Sequence, residues 1–93
     1  MTQTKSKTPL VRAVLQIGTE TYASTGETIL EAIDNLKKPE FLKSKGFLKV
    51  EVDGKTATKH FTIPTLRRLF CTSDNIRGYV RSVVSKHLTN FLQ

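Results

Sequence analysis

Apolar residues recur along this chain at two spacings, every second residue in some runs and every third or fourth in others, and the alternation of these runs predicts its elements. Leu10 to Ile17 reads LVRAVLQI. Apart from Arg12 and Gln16 it is apolar at both parities, the pattern of a strand buried on both faces. Gly18-Thr19 offers a turn, and Glu20 to Ala23 returns as a second strand. Ser24-Thr25-Gly26-Glu27 has the form of a capping box, in which Ser24 holds a backbone donor and Glu27 reaches back. Ile29, Leu30, Ile33 and Leu36 then share one face of a helix. Lys37-Lys38 suit its C-terminal dipole end, and Pro39 stops it.

Glu40 to Gly46 is a connector. From Phe47 to Val52 the residues alternate, with Leu48, Val50 and Val52 on one side and Lys49 and Glu51 on the other. Asp53-Gly54 predicts a hairpin, because a type I′ turn needs positive φ at both central positions. A two-residue loop pairs Val52 with Lys55 and Val50 with Ala57, and Lys55 to Ile63 is the return strand. Pro64 suits the first turn of a helix running to about Phe70. Thr72-Ser73-Asp74 breaks that helix and caps the last one, Asp74 to Leu92. Ile76, Tyr79, Val80, Val83, Val84, His87, Leu88, Phe91 and Leu92 form an apolar stripe on this helix, expected to pack on the sheet. The fold class is therefore α+β, in the order ββαββα: a four-stranded sheet packed by a long C-terminal helix. Residues 10–93 form one domain, and residues 1–9 read as a flexible basic arm carrying Lys5 and Lys7. Gly18 and Gly54, Leu30 and Leu66, and Ile33 and Leu69 align at an offset of 36, as two hairpin-then-helix units with the same local needs would.

The segment IGTETYASTGETILEAI, followed by GFLKVEVDGK, resembles the opening of β-grasp domains such as plant-type ferredoxins and small sulfur-carrier proteins. In those families a hairpin leads into a helix and then a third strand. The resemblance implies a fold only. The cysteines of an iron–sulfur cluster are absent, and Asn90-Phe91-Leu92-Gln93 does not carry the terminal Gly-Gly of a sulfur carrier.

Charge changes the picture most. The net charge is +7, and residues 55–93 hold seven basic side chains against one acidic, so +6 of it lies in that part. Arg67, Arg68, Arg77 and Arg81 have the fork geometry that suits phosphate or carboxylate. With Lys55, Lys59 and Lys86 they are the candidate nucleic-acid contacts. On the last helix Gly78, Ser82, Ser85 and Thr89 make a small, uncharged face flanked by Arg77, Arg81 and Lys86. That face, with Phe91 and Leu92, is the candidate docking surface for a partner. The hairpin face with Phe47, Lys49, Thr56, Thr58 and His60 is expected to be solvated, since base-stacking sheets usually show more aromatics.

Little supports catalysis. Cys71, Asp74 and His87 are nominal ingredients of a nucleophilic site, but no pattern aims them at one another. One cysteine and two distant histidines do not make a metal set. The five glycines are scattered and form no phosphate loop. A single cysteine excludes an internal disulfide framework, no apolar run is long enough to span a bilayer, and MTQTKSKTP lacks a secretory core segment. The expectation is a non-enzymatic basic protein without cofactor or small-molecule substrate, cytoplasmic or within a particle and not secreted. It contacts nucleic-acid phosphates (RNA or DNA) as an accessory component of a larger assembly, a ribonucleoprotein or virus-like particle. The alternative is a structural subunit that docks on protein through its C-terminal helix and binds no nucleic acid.

Overall fold

Two tight turns set the architecture. Gly18 (φ 60°) opens the first, and Asp53 (φ 53°) and Gly54 (φ 81°) make the second, whose two positive φ values are those of a type I′ turn. In the computed structural model, which describes residues 10–40 and 42–92, the elements are β1 (Val11–Ile17), β2 (Glu20–Gly26), α1 (Ile29–Asp34), β3 (Gly46–Val52), β4 (Lys55–Phe61), α2 (Ile63–Leu69) and α3 (Asp74–Leu92). The strands form one sheet in the order β2-β1-β3-β4, and every neighbouring pair is antiparallel. Hairpin, helix and third strand follow in that order, within a sheet that is antiparallel throughout. The expected arm, with Lys5 and Lys7, lies outside the described residues.

The two hairpins are arranged about the β1–β3 pair, with β2 and β4 outside. The internal similarity thus has a counterpart in topology, though at a different offset. The loop residues are 18–19 and 53–54, so strands correspond at 35 residues, and the aligned glycines occupy different turn positions.

The helices cover one side of the sheet. Val11, Ala13, Leu15 and Ile17 of β1 and Leu48 and Val50 of β3 are buried there against Ile33, Leu66, Leu69 and Leu88. Leu15 and Leu48 are register partners and fully buried, so truncating either to alanine costs about 3 kcal/mol. The other side is open, which corrects the two-sided burial expected of β1: Arg12 is exposed, and Val14 and Gln16 are half-buried. Arg12 and Gln16, the two polar interruptions, mark the uncovered parity.

The start of α1 also differs from expectation. Ser24 is not its cap. β2 continues to Gly26, pairing Val11 with Gly26, and Ser24 Oγ donates to the Ala32 carbonyl. Thr28 is the N-cap: its Oγ1 accepts from the Glu31 N–H at 3.0 Å, while Glu31 Oε1 accepts from the Glu27 N–H at 2.9 Å. Gly26 is where strand meets helix, and a Cβ there would lie 2.6 Å from the Ala32 nitrogen. α1 stops at Asp34, so Lys37 and Lys38 fall beyond it, and Ala32 rather than Leu30 fills the core.

α2 begins as Pro64 requires. α3 runs over the expected residues, but its apolar stripe is split. Val84 and Leu88 are buried, and Val80 and Leu92 pack against the core. Ile76, Tyr79, Val83 and Phe91 face outward, with His87 also exposed.

Candidate nucleic-acid interface

The uncovered side of the sheet is built by strand parity. β1 contributes Arg12, Val14 and Gln16; β3 contributes Phe47, Lys49 and Glu51; β4 contributes Thr56, Thr58 and His60. Register sets these in rows: Gln16 beside Phe47 beside His60, Val14 beside Lys49 beside Thr58, and Arg12 beside Glu51 beside Thr56. The Phe47 and His60 rings lie 5.6 Å apart between centroids, tilted by 49°. Lys49 and His60 are exposed and Phe47 is half-buried, so two rings inclined to one another lie on the open face near a cation. Lys45, also exposed, precedes β3 at the same parity as Phe47 and Lys49. The end of the sheet that holds the rings is thus cationic, whereas at the opposite end Glu51 sits across from Arg12. Chemically, such a surface can stack planar bases on the rings and draw phosphates to the lysines.

The arginines expected to make the phosphate patch divide into two pairs. Arg67 and Arg68 project from α2 into solvent. Arg77 and Arg81 turn inward. Arg81, with 9% of its surface exposed, donates from Nε to the Leu69 carbonyl at 2.9 Å and from Nη1 to Asp34 Oδ1 at 3.0 Å. Its guanidinium carbon lies 5.4 Å from the centre of the Phe70 ring. Arg77 Nη1 donates to the Cys71 carbonyl at 2.7 Å, and its Nη2 pairs with Asp74. The cause is local. Leu69 ends α2 with a carbonyl that lacks a helical partner, Cys71 follows in the connecting turn, and the arginines of the next helix supply donors to both. Both guanidinium groups are committed to this junction, so the four arginines do not form one outward patch.

A cleft of about 240 Å³ opens at the junction, lined by Lys38, Phe70, Cys71, Thr72 and the two inward arginines. Asp34 and Asp74 offset the arginines, so little net charge collects there.

Of the other cations, Lys55 and Lys59 are on the edge strand β4, at the parity that faces the helices, and Lys59 is half-buried. Lys86 is exposed on α3. Of the docking residues, Gly78, Ser82 and Phe91 are exposed, while Ser85, Thr89 and Leu92 are half-buried. Thr89 Oγ1 donates to the Ser85 carbonyl at 2.8 Å, inside its own helix. Cys71, Asp74 and His87 do not converge. Asp74 pairs with Arg77, and the exposed His87 packs its ring against Phe91, centroids 4.9 Å apart. Among the described residues no three potential metal ligands cluster, and no helix is long and apolar enough to cross a membrane.

Arg12, Gln16 and Lys45 enter this face through strand parity, outside the basic half of the chain. Their signal was present: two polar residues four apart in an apolar strand, and a Lys-x-Phe-x-Lys alternation leading into the third. Comparison with protein-family models, with curated proteins and with solved structures returns no match.

Proposed function

We propose that this chain is a non-enzymatic nucleic-acid-binding domain that lays a single strand across the open face of its sheet, as an accessory component of a larger assembly such as a ribonucleoprotein or virus-like particle. The supporting observation is the Phe47–His60 ring pair with Lys45 and Lys49 alternating beside it on an uncovered sheet. Bases stack on the two rings, and phosphates meet the lysines. Gln16, Thr21 and Thr58, on the same side, supply hydrogen bonds to sugar or base edges. The overall charge of +7 draws the polyanion in, and Arg67 and Arg68 add phosphate contacts where a strand extends past the sheet.

Binding of a fluorescent single-stranded oligonucleotide, followed by anisotropy across a salt series, tests the reading. Phe47→Ala should weaken binding about tenfold, because each stacked base contributes roughly 1–3 kcal/mol. Lys49→Ala should lower the salt slope by about 0.7, the share of one phosphate on a single strand. The reading fails if the wild-type chain does not bind at low salt, or if Phe47→Ala binds as tightly as wild type.

A further inference from the structure

The rotation of α3 leaves an apolar surface without a partner. Among the described residues six large hydrophobics are exposed, and four of them are on this helix: Ile76 (46%), Tyr79 (72%), Val83 (50%) and Phe91 (65%). Because Arg77 and Arg81 reach the α2 junction, the inner face of α3 is centred on Arg81, Val84 and Leu88. At 3.6 residues per turn, Ile76, Tyr79, Val83 and His87 then lie roughly a third of a turn away. They form a second stripe about 20 Å long that ends at Phe91.

We propose that this stripe joins two copies of the chain, with their α3 helices antiparallel and Val83 at the two-fold axis. Three observations favour a second copy over another occupant. The stripe is close to self-complementary about its midpoint: in an antiparallel pair centred on Val83, Tyr79 meets His87 of the second copy, and Ile76 meets its Asn90, next to Phe91. Such pairing is what an isologous interface requires. The area is also adequate. The four side chains expose about 450 Å² per copy, so with the stems of His87 and Lys86 a dimer buries on the order of 1,000 Å² in total. This lies at the lower bound for a specific interface and describes a reversible dimer. Charge is the third argument. Lys86 is the one exposed cation of α3, beside the stripe, so an acidic partner would find little to pair with there.

The dimer responds to salt in the opposite sense to nucleic-acid binding. Two chains of +7 repel each other, and ions screen that repulsion, so association tightens as salt rises. The experiment is sedimentation equilibrium on nuclease-treated protein shown by absorbance to be free of nucleic acid. It covers low to high micromolar chain at about 50 mM and about 500 mM salt. The expected result is a monomer–dimer equilibrium that tightens at the higher salt. Val83→Asp brings two carboxylates together at the axis and should raise the dimer Kd at least about a hundredfold. Val83 is half-exposed, so circular dichroism should show the fold retained; should that variant unfold, Tyr79→Glu at the more exposed position serves in its place. A wild-type chain that is monomeric throughout overturns the proposal. So does a dimer that survives the substitution in a folded protein.

Discussion

Arg67 and Arg68 differ from Arg77 and Arg81 in almost nothing that composition records. All four are on helices of the same half of the chain, and all four carry the same fork. The first pair is in water and the second binds the fold together. The difference lies in what surrounds each pair. Arg67 and Arg68 sit in the last turn of α2, where cations suit the helix dipole and the side chains project away from the core. Arg77 and Arg81 lie one and two turns into the following helix, and its close return brings them under the carbonyls of Cys71 in the connecting turn and Leu69 at the end of α2. An arginine near a helix end is thus a phosphate candidate only when no backbone acceptor of the same chain is within reach.

Arg81→Ala should have the largest effect, because it removes two hydrogen bonds and a buried stem and leaves the Leu69 carbonyl without its donor. The loss is about 3 kcal/mol, or a Tm fall of roughly 15 °C, read by thermal denaturation. Arg81→Lys should recover only part of that, since an ammonium cannot span the Leu69 carbonyl and Asp34 as the fork does. Arg77→Ala should cost about 1 kcal/mol, as its salt bridge is exposed and its bond to the Cys71 carbonyl is the main loss. Arg67→Ala with Arg68→Ala should leave stability within about 0.5 kcal/mol of wild type and, on the function proposed above, should lower the salt slope of oligonucleotide binding. Equal destabilisation by the two pairs would erase the distinction. A salt slope changed by Arg81→Ala in a folded protein would reverse it.

Two caps compete at the start of α1. The run from Ser24 to Glu31 contains the capping pattern twice, as Ser24-x-x-Glu27 and Thr28-x-x-Glu31. Local chemistry favours neither. The choice is made by β1, whose pairing with β2 as far as Gly26 keeps Ser24 in the strand and hands the cap to Thr28. Thr28→Ala should therefore cost about 1 kcal/mol. Glu27→Ala should change stability little, since its backbone N–H, and not its side chain, makes the capping contact.

The hairpin register at Asp53-Gly54, the Pro64 helix start and the extent of α3 follow from local rules, and each is found in the structure. What resisted reading was rotational. The apolar residues of α3 cover too wide an arc to say which part faces inward, and the arginines that settle it act through backbone acceptors on another helix. The open sheet side has a related cause. Arg12 and Gln16 interrupt an apolar strand, and only the position of the helices, on the opposite parity, decides that they mark an uncovered face.

The bond between Arg81 and Asp34 spans 47 residues of sequence. A ribosome releasing this chain has made both strands of the first hairpin and the first helix long before it supplies the guanidinium that ties that helix to the end of α2. Until β3 arrives, Ala13 and Leu15 also have no Val50 and Leu48 across from them. The first unit thus lacks part of its core until β3 and α3 have been made. A nascent chain halted before residue 81 should remain open to protease along its whole length, and one extended through α3 should resist it.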